Sequence, residues 1–385
     1  MSFKTVIIYK PSVLPYSETF IREQILAYSR WHGILVGHHL TNEIPLNGID
    51  VRLLRSGSSE LFDRIRWSFH SRLKTIPGFA RDQLQAMHAS LFHAHFGTVG
   101  VSSWFIARAL NLPMLVTLHG SDITIHKSWW ENGGGGSRMR SYPEELLSIG
   151  RQPGVHFIAV SEGIRNVAVE YGISPTRVST VHIGIDTEKF APAGRPVGER
   201  KPKVIFIGRL VEKKGCHYLL KAFVSVQKAV PEAELIIIGD GDWRAKLKHA
   251  TNELQINAKF LGAISSDAVR FHLHSARLLC LPSVTATNGD REGLSTVILE
   301  AQACGVPVVT SAFGGATEGI INGKTGFAFP EKRIDELAER LISLLQDDVL
   351  AESMSHAARV FVTEKFNIYS CTKRLEALYD KFCGA

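Results

Sequence analysis

Glu292 and Glu300, with seven residues between them, bracket the start of the apolar run GLSTVILEAQACG. Ser295 is a good N-cap type, Thr296 to Cys304 suit a short helix, and Gly305 with Pro307 ends it. Glu292 then lies in the loop entering the helix and Glu300 just over one turn along it. The first N–H groups of such a helix, around Leu294–Val297, point outward without intrahelical partners and form an anion site. An acid on either side of an anion site can grip hydroxyl groups flanking a phosphate, and a sugar nucleotide has that pattern. Arg209 and Lys214 lie five apart in FIGRLVEKKG, a loop after a strand-like run, where both can reach one ligand. A planar guanidinium beside a mobile ammonium suits a diphosphate. Taken singly, each of these residues is also readable as a solvated surface charge.

The next candidates also fall at strand ends. IIIGDGD puts Gly239 and Gly241 where backbone can approach closely, although Arg244 stands at the third position of a dinucleotide fingerprint. VTLHGSD ends a strand with His119 and Asp122, and Asp122 can either orient the histidine or cap the next helix. PYSETFIREQI enters a helix with Ser17, an N-cap type, and Glu18, which can face a cleft. His93 and His95 share one face of a strand; core packing, cleft lining and a metal pair all fit, and no third ligand is evident.

These positions need elements to hold them. Short β-branched runs alternate with longer helical patterns, the signature of parallel sheets built from βαβ units. TVIIYK, GILVGHHL, LFHAHFG, PMLVTLHG and HFIAVS are strand-like in the first half. After Thr187–Lys203, rich in Pro, Gly and charge and read as a linker, the alternation restarts with KVIFIGRL, AELIIIGDGD, AKFLGAI, RLLCLPS, PVVTS and GFAFP. The expected fold is α/β, two doubly wound Rossmann-like domains facing across a cleft, over residues 1–186 and 187–365. An amphipathic C-terminal helix at about 366–385 is assigned back to the first domain. In such sheets ligands bind outside the C-terminal strand ends.

The 385 residues suit two domains, and 45% hydrophobic with 21% charged residues is ordinary for a soluble globular chain. No apolar stretch approaches the roughly 18–20 residues that cross a bilayer. MSFKTVIIYKPS has too short an apolar core for a signal peptide, which points to a cytoplasmic chain. Five cysteines without a CxxC pair read as reduced core thiols. A net charge of +7 favours anionic partners. The segment Ser59–Arg81 mixes Leu61, Phe62, Ile65, Trp67, Phe69 and Leu73 with five basic residues. It suits an anionic membrane surface, or else a helix covering the sheet with a solvated basic face. WWENGGGGSRMR reads as a flexible loop, a candidate lid.

GRLVEKKG, the GDG turn and EGLSTVILEAQACGVPVV, in that order, resemble the motifs of the retaining glycosyltransferases of family 4, with their GT-B fold. LPYSETFIREQI and FHAHFG further resemble bacterial exopolysaccharide transferases of the colanic acid and amylovoran type. The resemblance implies transfer of a sugar from a nucleotide-diphosphate sugar to a glycan or lipid-linked oligosaccharide, without a metal or other cofactor and without nucleic acid as partner. The chain is expected in the cytoplasm, and the membrane-surface alternative for Ser59–Arg81 would put it at the inner face of the cytoplasmic membrane.

Carried over residue by residue, it assigns Glu292 and the backbone of Gly293, Leu294 and Ser295 to the donor sugar, Glu300 to the ribose, and Arg209 and Lys214 to the diphosphate. Gly208, Gly239, Gly241 and Thr296 complete the donor side; Ser17, Glu18, His95, His119 and Asp122 form the acceptor side. His119 is expected at the junction with the donor sugar, and the catalytic set is His119, Glu292, Arg209 and Lys214. Where this chain has Ser295 the family usually has proline. Removing Glu300 or Lys214 is expected to cripple turnover and leave the fold intact. The rival from another class is a non-catalytic polysaccharide- or nucleic-acid-binding protein, which would need no acid pair beside a phosphate site. A nucleotide-cofactor oxidoreductase lacks its glycine fingerprint here.

Overall fold

The computed structural model describes residues 3–15, 18–41, 44–311 and 314–384. The chain divides into two units, Met1–Gly184 with Ile368–Ala385, and Ile185–Asn367. Among the described residues the first unit contains β1 (Lys4–Tyr9), β2 (Ser12–Val13), β3 (Trp31–Gly37), β4 (His39–Leu40), β5 (Asp50–Leu53), β6 (Leu91–His95), β7 (Met114–Leu118), β8 (Val155–Ala159) and β9 (Val178–Thr180). The second contains β10 (Lys203–Ile207), β11 (Glu234–Ile238), β12 (Ala258–Gly262), β13 (Leu278–Leu281), β14 (Val308–Ser311) and β15 (Gly326–Phe329).

The first sheet runs β5-β3-β1-β6-β7-β8-β9 and the second β12-β11-β10-β13-β14-β15, with parallel pairing throughout. The second is the 3-2-1-4-5-6 order of a dinucleotide-binding fold, and the first repeats it with one strand added. The central strands β6, β7, β8 and β13 are buried along their whole length, as strands covered on both faces must be. In both units the order reverses beside the first strand, which opens a crevice at the C-terminal ends of β1 and β6 and of β10 and β13.

The helix Ile368–Cys383 belongs to the first unit. Its Glu376 is fully buried and accepts the N–H groups of Ser29, Arg30 and Trp31 at 2.8, 2.7 and 3.1 Å and the Ser29 hydroxyl at 2.8 Å. Those N–H groups belong to the bend after the helix Thr19–Leu26 and to the first residue of β3. Three residues on, Tyr379 meets the hydroxyl of Tyr28 at 2.8 Å and His93 Nδ1 at 2.6 Å.

Thr187–Lys203 is not a free linker. Phe190 and Val197 are buried, and four side chains of the second unit donate to its backbone: Arg359 to Thr187, Arg270 to Lys189, His274 to Ala191 and Arg277 to Val197 and Gly198. Composition suggested a linker because the carbonyl groups, invisible in side-chain chemistry, do the binding. The glycine run is likewise packed. A Cβ at Gly134 would lie 2.1 Å from the Trp129 ring, and one at Gly135 2.5 Å from Trp130. These glycines let a turn close over two indoles, so WWENGGGGSRMR is not the open loop that its composition suggests.

Ser59–Arg81 forms the helices Glu60–Arg72 and Gly78–Gln85 with a bend between them. Ser59 caps the first by accepting from Phe62 N. Only Asp63 and Trp67 of this helix are buried, while Leu61, Phe62, Ile65 and Phe69, with Leu73 just beyond, are 51–66% exposed. A sheet-covering helix would turn those side chains inward; here they point to solvent. All five cysteines are free thiols, four of them buried. Among the described residues no helix is long and apolar enough to cross a membrane.

Candidate active site

In the second unit the polar candidates gather at the switch point. After β10 the chain passes Gly208 and the exposed Arg209 into a short turn, Glu212–Lys214. After β13 it enters the long loop leading to the helix Thr296–Ala303. The turn and the loop are joined by a row of side chains. Glu212 accepts from Thr287 N and Oγ1, Lys213 pairs with Asp290 at 2.9 Å, and Lys214 Nζ lies 3.0 Å from both carboxylate oxygens of Glu292. Glu331 pins the loop from another side through Thr285 N and Oγ1. Three consecutive residues, Glu-Lys-Lys, thus hold the loop that carries Glu292.

Lys214 and Glu292 are both almost enclosed, with side chains 14% and 8% exposed. Burial pushes the Glu292 carboxyl up, but Lys214, Lys213 and Arg209 together outweigh it and hold the group below the usual range. Glu292 is therefore a carboxylate at neutral pH. Its Oε2 takes the Lys214 hydrogen bond, while the buried Oε1 is in ion-pair contact with the same ammonium and accepts no hydrogen bond of its own among the described residues. A buried acceptor without a donor costs free energy unless a ligand hydroxyl completes it. Lys214 has two further N–H groups for a second anion.

Gly239 and Gly241 serve a different neighbour from the one expected. A Cβ at Gly239 (φ +133°) would lie 1.9 Å from Gly208 O, and one at Gly241 (φ +153°) 2.6 Å from Leu210 O. The β11 end presses on the backbone after β10, and Leu210 N donates to Asp240 O at 2.8 Å. The close approach is within the protein, and it shapes the Gly208–Lys214 turn.

Ser295 is the N-cap of the helix, with φ −86° and ψ 109°, yet its side chain makes no cap hydrogen bond. Among the described residues the N–H groups of Leu294, Ser295, Thr296 and Val297 find no acceptor, which leaves an anion-receptive helix start. Gly293, Leu294 and Ser295 are buried in the approach; Thr296 and Glu300 are half-exposed on the helix. The φ of −86° at 295 lies about 20° from proline's preferred value, so Ser295→Pro is expected to be tolerated with a stability change of less than about 1 kcal/mol. Chemical denaturation checks this, and a loss of more than 1 kcal/mol would contradict it.

In the first unit the switch point holds Lys10 after β1, His95 and Phe96 at the end of β6, and His119 after β7. Lys10 and Glu18 form a buried pair at 2.8 Å, and the Lys10 ammonium also lies 4.4 Å from the Phe96 ring centre. Phe96 has φ +76°, a strained value for a bulky residue, and its ring sits 4.5 Å from that of His119. His95 Nδ1 meets His119 Nε2 at 3.1 Å, and His93 stacks on His95 with its own nitrogens bonded to Tyr379 and Thr117. Both His93 and His95 are buried core histidines, and among the described residues no group of three or more potential ligands is arranged for a metal. His95 Nε2 is buried with no hydrogen-bond partner among the described residues.

Asp122 lies within the next helix, Ser121–Thr124, whose N-cap Gly120 has no side-chain cap bond. Its carboxylate accepts from the backbone of Gly97 at 2.7 Å, His119 at 3.0 Å and Gly120 at 2.8 Å, and it fixes the His119 backbone rather than its ring. Ser17, the remaining predicted acceptor-side residue, lies outside the described residues.

Burial drives the three ring pKa values down, His93 to about 3 and His95 and His119 well below the normal 6.5. They are neutral when folded but take protons at about 6.5 when unfolded, so the unfolded state binds more protons below that pH. Stability is complete above pH 6.5 and falls as the pH drops toward 3, by at most about 1.4 kcal/mol per pH unit for each histidine. Urea unfolding of the first unit between pH 7 and 5 should show this loss, and an unchanged midpoint would contradict it.

Lys10, Phe96, Lys213 and Asp290 were missed in the sequence. Lys10 and Phe96 immediately end or follow predicted strands, the one signal available; Lys213 and Asp290 are ordinary loop charges until the fold pairs them.

Two doubly wound units with polar residues at both switch points define a GT-B chain. HepE from Anabaena, solved with UDP and glucose, matches 98% of this chain and 100% of its own at a TM-score of 0.78 and 17% identity. WaaG, a glycosyltransferase of lipopolysaccharide biosynthesis, matches 99% and 100% at a TM-score of 0.69 and 16% identity. Residues 36–189 fit the model of Glycosyltransferase Family 4, and residues 188–361 that of Glycosyl transferases group 1. The chain belongs to this glycosyltransferase family. The amylovoran biosynthesis glycosyltransferase AmsK of Erwinia amylovora is 27% identical over 86% of this chain and 79% of its own. The putative colanic acid biosynthesis glycosyltransferase WcaL of Salmonella typhimurium is 26% identical over 85% and 79%.

Proposed function

We propose that the protein transfers a sugar from a nucleotide-diphosphate sugar to a hydroxyl of a lipid-linked oligosaccharide, with retained anomeric configuration and without a metal, in surface polysaccharide synthesis. The observation that carries the reading is the buried Lys214–Glu292 ion pair at the switch point, with Glu292 Oε1 still able to accept a hydrogen bond. Glu292 takes a donor-sugar hydroxyl there, and Glu300 the ribose. Lys214, Arg209 and the helix start stabilise the departing diphosphate, a term worth several kcal/mol when preorganised. In the first unit His119 and the Lys10–Glu18 pair supply acceptor-side groups. The neutral imidazole of His119 can accept or donate one hydrogen bond without adding charge. The likeness to AmsK and WcaL supports the polysaccharide setting.

The outward apolar side chains of Glu60–Arg72, flanked by Arg64, Arg66, Arg72, Lys74 and Arg81, fit a peripheral position on an anionic bilayer. Co-sedimentation with vesicles containing phosphatidylglycerol should be lost in Phe62→Ser/Phe69→Ser and weakened by salt.

Thermal shift against UDP, GDP, ADP and their sugars identifies the donor, because a ligand bound only to the native state raises the melting temperature. Proton NMR of the product then reads the anomeric configuration. Glu300→Ala should lose the nucleotide shift and at least tenfold in rate. Unshifted melting with every nucleotide, or an inverted product, sinks the proposal, and loss of activity in EDTA sinks its metal-free part.

A further inference from the structure

The first unit holds a cavity of about 980 Å³ that the reading so far leaves unused. Its walls come from the end of β5, the helices Glu60–Arg72, Gly97–Ala109 and Tyr142–Gly150, and the turn Ser137–Met139. Arg55, Arg64, Arg72, Lys74, Arg108 and Arg138 line it. Against these six cations stand three carboxylates, Glu60, Asp63 and Glu145. Asp63 is already taken by Ser56 N and Oγ, at 3.1 and 2.5 Å, and Glu145 by the Ser141 hydroxyl at 2.8 Å and Lys74 at 3.5 Å. None of the five arginine side chains has a carboxylate within salt-bridge distance among the described residues.

Five exposed guanidinium groups from four parts of the chain line one cavity without a carboxylate partner among the described residues, which leaves their donors open to an anion. Arginine's fixed fork of donors matches phosphate oxygens two at a time. The rest of the lining is aromatic: Trp67, stacked on His38 with ring centres 4.2 Å apart, with Trp104, Phe105 and Tyr142. Such walls suit apolar faces of a ligand, while the cations stand at the solvent side of the cavity.

The helix Glu60–Arg72 connects this cavity to a lipid. Glu60, Asp63, Arg64, Trp67, Ser68 and Ser71 face the cavity, while Leu61, Phe62, Ile65 and Phe69 face solvent. At 100° per residue the two sets centre roughly 140° apart, with Arg72, also in the cavity lining, at their border. One helix thus offers a phosphate-binding side and an apolar side within its own width of roughly 10–12 Å.

We infer that this cavity binds the diphosphate of a polyprenyl-diphosphate-linked acceptor, with the lipid chain leaving along the exposed face of Glu60–Arg72. The inference rests on the glycosyltransferase reading with a lipid-linked acceptor, and names the group by which that acceptor is held.

The probes are farnesyl diphosphate, inorganic pyrophosphate and farnesol, titrated calorimetrically into the full-length protein. An Arg209→Ala background removes a main cation of the second unit, where free diphosphate can also bind. Farnesyl diphosphate should bind in that background, at least tenfold more tightly than pyrophosphate, and farnesol should not bind. Arg64→Ala/Arg108→Ala/Arg138→Ala should weaken farnesyl diphosphate at least tenfold and leave the nucleotide thermal shift unchanged. These arginines have no ion pairs to lose, and an unchanged urea midpoint shows that the fold is kept.

Unaltered farnesyl diphosphate affinity in the triple variant overturns the inference. So does binding that disappears with Arg209→Ala, which assigns the anion to the second unit. Equal affinity for pyrophosphate and farnesyl diphosphate overturns the lipid source and leaves a site for free phosphates. If no nucleotide shifts the melting temperature while farnesyl diphosphate still binds, the enzymatic reading fails and the cavity stands.

Discussion

Lys214→Ala is expected to lower the transfer rate by at least a hundredfold and to destabilise the second unit by about 3–5 kcal/mol at pH 7. The two losses have separate causes. The rate falls because a preorganised cation facing the departing diphosphate is removed, a change typically worth 10²–10³ in turnover. The stability falls because Glu292, buried and held as a carboxylate by its cations, is left with Lys213 and Arg209 alone. The fold is expected to survive at reduced stability, because Glu212 and Lys213 still hold the loop.

A second variant separates the effects. Lys214→Met/Glu292→Leu replaces the ion pair with apolar groups of similar volume, and such exchanges are often neutral or stabilising. It should regain the lost stability in urea unfolding and remain without transfer activity. Lys214→Ala retaining more than a tenth of the wild-type rate would remove Lys214 from the proposed chemistry. A double variant no more stable than Lys214→Ala would show that the pair is not what holds the loop.

Glu376→Ala should cost the first unit about 3–5 kcal/mol. The fully buried carboxylate satisfies three backbone N–H groups and one hydroxyl, with Trp31 buried and Ser29 and Arg30 on the solvent side. Each buried donor left without an acceptor costs about 1–3 kcal/mol, partly relieved where water enters the space. Glu376→Gln keeps one acceptor oxygen and the volume, so its loss should be about half as large. The nucleotide-induced thermal shift should persist in both variants, because the donor-side residues lie in the other unit. A midpoint within 0.5 kcal/mol of wild type for Glu376→Ala would refute the tether.

The strand and helix pattern was legible because its cause is local. Apolar runs such as VIIY, LFHAH and ELIII have too many β-branched or apolar residues for a solvated strand, and the helices between them set parallel pairing. The helix at Thr296–Ala303 was legible too, from Ser295, Gly305 and Pro307. Its cap chemistry was not: the Ser295 hydroxyl is in the right position but makes no cap bond, because side-chain direction depends on how the buried loop approaches.

Residue types, order and spacing alone determined that this chain has two doubly wound halves and that Glu292, Glu300, Arg209 and Lys214 belong to strand-end loops. Periodicity and turn chemistry act over a few residues, so they survive reading in one dimension. The tertiary structure decided the partners. Lys214 meets Glu292 across 78 positions of sequence, Glu376 reaches Ser29 across 347, and the arginines of the first-unit cavity come from four separate parts of the chain. No local rule carries such pairings, because the energy that selects them comes from burying charges and backbone N–H groups together. That burial exists only once the sheets have formed.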